Sequence, residues 1–308
     1  MADRTALDEM RQLLHTGLMS FPLTDLDAAD NFDRRSFAAR LEWHLGYQPR
    51  AVFVAGGAGE FFSLTFAEYS AVVTESVAAA KGRVPVVASA GFGTRLAVQY
   101  AQEAERLGSD ALLLLPPYLT EAPQDGLVAH VDAVCKATSL GVIVYNRANC
   151  VLDAHSIEKL ATANINFIAV KDGRGDIEEL NRIRSLLGDR VTLINGMPTA
   201  ETYAPAYFGI GIASYSSAIF NFLPRTAMAF HASVVANDHQ AIAAFNRDFL
   251  VPYCEIRRRR PGYAVSIVKA GVDIIGRSAG GVRAPLCGLT NAERDLLAAL
   301  IERAGPQS

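Results

Sequence analysis

The runs Gly-Val-Ile-Val-Tyr at 141–145 and Phe-Ile-Ala-Val at 167–170, followed by Asn146 and by Lys171-Asp-Gly173, decide how this chain folds. Each is a short apolar stretch without polar alternation, and each ends in groups that carry chemistry. Strands buried on both faces read this way, because neither side meets water. Outward from this pair, comparable runs recur at 17–21, 51–55, 84–88, 111–115, 191–194 and 209–213, which makes eight.

The segments between them have helical period. Thr65-Phe-Ala-Glu68 is a capping box, in which hydroxyl and carboxylate satisfy backbone donors at a helix start. Residues 94–107 and 125–138 repeat apolar side chains every three or four positions, and 177–187 do so more loosely. Eight β-then-α units predict parallel strands with right-handed crossovers. The count of eight favours an α/β fold of the closed (β/α)8 TIM-barrel type over a doubly wound sheet. Such a sheet normally has fewer strands and a glycine-rich turn after the first, where this chain has Pro22-Leu-Thr-Asp25. From about Arg225 only helices are expected, with a second capping box at Thr290-Asn-Ala-Glu293. The expected organisation is a barrel over residues 1–224 and a C-terminal helical region, 225–308, packed on it.

Composition agrees. The 308 residues suit a barrel of roughly 250 plus an extension. A net charge of -3 and a pI near 6.1 give no electrostatic reason to expect nucleic acid or an anionic membrane. The arginine run 257–260 is the local exception, expected to be a solvated helix end or a subunit contact. Cys135, Cys150, Cys254 and Cys287 are far apart and form no CxxC pair, as reduced thiols would be. The charged N-terminus lacks a signal-peptide core, and no stretch approaches the ~20 apolar residues of a membrane span. A cytoplasmic protein is expected. The six histidines show no ligand pairing at strand ends, so no metal is expected.

Barrel chemistry sits at the C-terminal ends of strands. There the second strand runs into Gly56-Gly-Ala-Gly-Glu60, the fifth into Tyr145-Asn-Arg147 and the sixth into Lys171-Asp-Gly173. The seventh leads to Asn195-Gly-Met-Pro198 and the eighth to Ser214-Tyr-Ser-Ser217. A lysine of ordinary pKa is neutral in about one molecule in 2,500 at pH 7. Desolvation at a barrel mouth would free the Lys171 amine to attack a carbonyl. Alternatively Lys171 caps its strand and pairs with Asp172 or Asp176. Tyr145, one strand away, can shuttle protons beside that amine or simply pack at the rim. The glycine-stripped turn brings backbone donors of Gly57, Ala58 and Gly59 close to an anion, or is only a tight turn. Glu60 can anchor that turn. Arg147 can fork onto a carboxylate or form a rim salt bridge.

These segments together resemble the dihydrodipicolinate synthase and N-acetylneuraminate lyase superfamily, from about Gly17 to Ala213. The matching motifs are GxxGE at 56–60, Tyr145-Asn146 and Lys171-Asp172. The resemblance implies that Lys171 forms the Schiff base, that Tyr145 is the general acid/base, and that no cofactor is needed. It also implies a tetramer built from tight dimers. Within the superfamily the closer resemblance is to the 5-dehydro-4-deoxyglucarate dehydratases. It is carried by Gly-Glu-Phe-Phe-Ser-Leu (59–64), Pro-Pro-Tyr-Leu (116–119), Tyr-Asn-Arg-Ala-Asn (145–149) and Val-Lys-Asp-Gly (170–173). Asn-Gly-Met-Pro (195–198), Tyr-Ser-Ser-Ala-Ile (215–219) and Gly-Tyr-Ala-Val-Ser (262–266) belong to the same set.

That resemblance implies a lyase that dehydrates and decarboxylates a small keto sugar acid, 5-dehydro-4-deoxy-D-glucarate, to 2,5-dioxopentanoate. Gly57, Ala58 and Gly59 would take the carboxylate beside the keto group. Arg147, Asn195, Gly196, Ser214 and Ser217 are the further binding candidates, the first two and the Ser214–Ser217 turn toward the distal end. The alternatives are a pyruvate-dependent aldolase for another 2-keto-3-deoxy acid, and a sugar-acid sensor without chemistry. There are departures too. Synthases usually carry two threonines where Gly57 and Ala58 stand, and a relay tyrosine near Leu119. The dehydratases often have Thr or Ser at the position of Ala58.

Overall fold

Seven of the eight apolar runs become parallel strands because both of their faces find apolar partners, and an eighth strand forms just after the last run. The computed structural model describes residues 3–118 and 121–305. The strands are Thr16–Ser20 (β1), Val52–Val54 (β2), Val86–Ala90 (β3), Ala111–Leu114 (β4), Gly141–Asn146 (β5), Phe167–Asp172 (β6), Thr192–Asn195 (β7) and Ala213–Ser217 (β8). They close in sequence order into a barrel, β1 pairing with both β2 and β8. The helices are α1 (Arg4–Leu14), α2 (Arg34–Leu45), α3 (Phe66–Ala80), α4 (Thr94–Arg106), α5 (Gln124–Ala137), α6 (Ala154–Ala163) and α7 (Ile177–Leu187). They continue as α8 (Ala204–Gly209), α9 (Pro224–Val235), α10 (His239–Phe245), α11 (Val251–Arg258), α12 (Tyr263–Ile274) and α13 (Asn291–Ala304). One helix, α2 to α9 in turn, follows each strand.

Alternate strand residues face inward and outward. Met19, Phe53, Leu113, Ile143 and Ala169 fill the barrel interior, joined from below by Leu7, Met10 and Leu14 of α1. That helix is tied to β7 where the Thr192 hydroxyl donates to the Arg11 carbonyl at 3.0 Å. The outward set, including Val54, Leu114, Val144 and Val170, packs under α2 to α7. Both capping boxes form as their spacing predicts, at Thr65 and Thr290.

The eighth strand departs from expectation. The apolar run 209–213 ends α8 and turns, with Gly211 at φ +78, and the strand proper is the polar-looking Ala-Ser-Tyr-Ser-Ser of 213–217. Its hydroxyl residues are tolerated because neighbouring strands and helices cover them. The apolar surfaces of α9 to α13 share one cluster with Leu18 of β1 and Tyr215 of β8. Polar ties reinforce that contact. Lys269 of α12 pairs with Glu60 at 2.8 Å, and the Arg283 amide donates to the same carboxylate at 3.0 Å. Glu60 thus anchors the glycine turn after β2 to the C-terminal helices. Among the described residues no helix is long and apolar enough to cross a membrane.

Candidate active site

A cavity of about 400 Å³ opens at the C-terminal mouth of the barrel. That is ample for a small organic acid. Lys171 and Tyr145 reach it from adjacent strands in direct register. Ala169 faces the barrel interior, so Lys171, two residues on, faces the same way one layer higher. The lysine is only 4% exposed. Its Nζ lies 3.7 Å from the centre of the Tyr145 ring and 5.2 Å from that of Phe21. It donates a long hydrogen bond, 3.4 Å, to the Gly196 carbonyl.

The alternative partners of Lys171 are occupied. Asp172 accepts from the amides of Arg174 and Gly175 at 3.1 and 2.9 Å and from the Tyr207 hydroxyl. Asp176 caps α7 by accepting from the Glu179 amide. No carboxylate among the described residues makes an ion pair with Lys171, and burial therefore pushes the amine below its ordinary pKa, opposed chiefly by the Tyr145 phenol.

Tyr145 donates to the Gly196 carbonyl at 2.7 Å and accepts from an Arg147 guanidinium nitrogen at 3.1 Å. Burial alone would raise its pKa, but the charges of Lys171 and Arg147 and their hydrogen bonds bring it below the ordinary phenol value. Amine and phenol are thus both more acidic than usual and in direct contact, which suits proton exchange between them. Gly196 is constrained to be glycine here. A Cβ would lie 2.5 Å from Lys171 Cγ and 2.6 Å from its Nζ.

The glycine turn faces the same cavity through Gly57 and Ala58. Thr24 Oγ1 donates to the Gly59 carbonyl at 2.7 Å, and the Glu60 amide donates to that of Gly57 at 3.2 Å. No backbone carbonyl among the described residues accepts from the amides of Gly57, Ala58 or Gly59. Gly59 itself lies under the turn, where a Cβ would meet the Ala55 backbone at 3.2 Å.

Other candidates are corrected. Asn195 is fully buried and folds its own loop, donating to the Ala200 carbonyl and accepting from the Met197 amide. Ser217 points outward to Glu201 and accepts from the Phe220 amide. Ser214 faces inward but one layer too deep, and Ser216, two residues higher, lines the cavity in its place. Leu119 lies outside the described residues.

The expectation for the arginine run also fails at its first member. Arg258, Arg259 and Arg260 are exposed, but Arg257 turns in and lines the cavity beside Tyr253, one helical turn earlier on α11. Behind them sits Glu201, fully buried, one carboxylate oxygen taken by Ser217 and the other without a partner. Burial raises its pKa to about 7.

The sequence model of the dihydrodipicolinate synthetase family matches residues 14–304. This chain belongs to that family. As a family member it is 52% identical, over 97% of its length and 99% of theirs, to two proteins named probable 5-dehydro-4-deoxyglucarate dehydratase. They come from Pseudomonas putida strain GB-1 and Pseudomonas fluorescens strain Pf0-1. Among solved structures, the dihydrodipicolinate synthase of Oceanobacillus iheyensis superposes with a TM-score of 0.88 at 23% identity, covering 96% of this chain and 98% of that one. The chloride-inhibited synthase of Acinetobacter baumannii, complexed with pyruvate, superposes at 0.81 with 25% identity, covering 94% and 99%. The family barrel is therefore the frame in which Lys171, Tyr145 and the 56–60 turn meet.

Proposed function

We propose that this chain dehydrates and decarboxylates 5-dehydro-4-deoxy-D-glucarate to 2,5-dioxopentanoate, water and CO2, through an imine on Lys171. The observation that carries the proposal is a buried amine with no ion-paired carboxylate among the described residues, 3.7 Å from the Tyr145 ring centre. The names of the 52% identical relatives supply the substrate.

The steps balance without an added redox partner. The Lys171 amine attacks the keto carbon, and the carbonyl oxygen leaves as water to give an iminium. That cation acidifies the adjacent methylene, whose proton passes to Tyr145 or to the neighbouring carboxylate. The enamine pair then expels the β-hydroxyl as a second water, protonated by Tyr145. The new double bond is conjugated to the iminium, so the terminal C–C bond breaks to release CO2 while its electron pair flows to nitrogen. Protonation on one carbon turns the resulting enol into an aldehyde, with loss of the enol proton, and protonation of the remaining enamine on the carbon next to the imine restores the iminium. Hydrolysis consumes one water and returns the amine, leaving one water and one CO2 released overall. The amides at 57–59, with no backbone acceptor, suit the carboxylate beside the keto group.

The same proposal takes the chain as a cytoplasmic homotetramer, its barrel 1–224 complemented by the helices of 225–308; light scattering in solution tests the assembly. The function is tested by supplying 5-dehydro-4-deoxy-D-glucarate and measuring products. One CO2 and one 2,5-dioxopentanoate per substrate are expected. Release of pyruvate instead identifies an aldolase and contradicts the proposal.

A further inference from the structure

Arg257 is the feature of the cavity that the chemistry above leaves unused. Three cationic side chains line the cavity: Lys171, Arg147 and Arg257. Lys171 is the imine-forming group, and Arg147 is committed to the Tyr145 hydroxyl at 3.1 Å. Arg257 is half-buried, and its Nε is shielded from solvent without a hydrogen-bond partner among the described residues. One buried carboxylate, Glu201, lies close enough to feel the charge of Arg257, yet among the described residues the two form no ion pair or hydrogen bond. Glu201 accepts from Ser217 through one oxygen, and its other oxygen makes no hydrogen bond to Arg257 or to any other described residue. A guanidinium held at a cavity wall with an unused donor fork is built to receive a planar anion from the cavity side.

It reaches the cavity from helix α11, not from the strand ends or the turn that hold the reacting end of the substrate. We propose that Arg257 binds the distal carboxylate of the keto acid and so selects six-carbon keto diacids over keto acids ending in an alcohol. This rests on the function proposed above. It also predicts which kinetic constant responds. The distal carboxylate is the group lost as CO2, so its negative charge drains away as the C–C bond breaks. An ion pair to it is stronger before the transition state than at it, and contributes to binding rather than to the chemical step.

The experiment compares wild type with Arg257→Gln and Arg257→Lys on the diacid and on the six-carbon 2-keto-3-deoxy acid that ends in a primary alcohol. Borohydride trapping of pyruvate on Lys171 reports an intact site in each variant. For Arg257→Gln, KM for the diacid should rise about 10- to 100-fold, the loss of a charge-assisted hydrogen-bonded pair. kcat should change little, and the preference for the diacid should collapse. Arg257→Lys, which keeps the charge but not the fork, should fall between. A measurement on the unaltered enzyme makes the same demand: a six-carbon 2-oxo diacid must inhibit more tightly than the 2-oxo monoacid of equal length. Equal inhibition by the two acids, or a diacid KM and preference unchanged in Arg257→Gln, overturns the inference and leaves the proposed function standing. A wild-type enzyme that traps pyruvate but does not consume the diacid overturns both.

Discussion

Two lysines in this molecule are buried to the same degree, each 4% exposed, and they have opposite fates. Lys269 of α12 meets the Glu60 carboxylate at 2.8 Å and also donates to the Gly281 carbonyl. Lys171 of β6 meets two aromatic rings and one distant carbonyl. Burial lowers the pKa of both, but at Lys269 a hydrogen-bonded carboxylate leads the opposition, whereas at Lys171 the Tyr145 phenol does, with only a more distant charge from Asp172 behind it. Burial by itself therefore does not make a nucleophile. The lack of a paired carboxylate does, because less then holds the ammonium form in a dry site.

The comparison can be broken most severely at Lys171. Lys171→Met should abolish turnover, by at least about 10⁴-fold, since the nucleophile is gone. Thermal unfolding should show no loss of stability, because an unpaired buried amine is replaced by an apolar group of similar length. A variant that is both inactive and strongly destabilised would mean that Lys171 is structural after all. Tyr145→Phe should lower kcat about 10²- to 10⁴-fold with the lysine still able to form adducts, read by comparing steady-state turnover with trapping.

At the paired lysine the expected effect is on folding. Lys269→Met leaves the Glu60 carboxylate buried without its partner and should cost about 3–5 kcal/mol in denaturant unfolding. Activity should fall only as far as the 56–60 turn loosens.

The smallest effect concerns a buried acid without a counter-ion. Glu201 titrates near 7 in the folded state against about 4.5 unfolded, so the folded state holds the proton more tightly. Its contribution to stability is present below about pH 4.5 and is lost as pH rises to about 7. Glu201→Gln should flatten that decline and stabilise the protein by about 2–3 kcal/mol at pH 8, measured as unfolding free energy against pH.

The strand-borne half of this site was legible in the sequence, and the helix-borne half was not. Lys171 and Tyr145 end uninterrupted apolar runs, and parallel neighbours in a barrel put such ends side by side. The strand period also decides which serine faces inward, but the apolar run at 209–213 drew the eighth strand too early. That shift obscured Ser216 and favoured Ser214 and Ser217. Asn195 shows a different limit, since a polar side chain at a strand end can be consumed by its own loop. Arg257 was hidden by its company. Four consecutive arginines look like a solvated helix end, and only the spacing from Tyr253 to Arg257, one turn of helix, hints that one of them shares a buried face.

The contrast between the two lysines is tested most directly by reduction with borohydride in the presence of pyruvate, followed by peptide mass spectrometry. A single reduced adduct on the peptide carrying Lys171, with Lys269 unmodified, is the predicted result, and its yield should rise with pH through a midpoint below the ordinary lysine value. An adduct on another lysine, or an unmodified Lys171 in an enzyme that still turns over, would contradict the account.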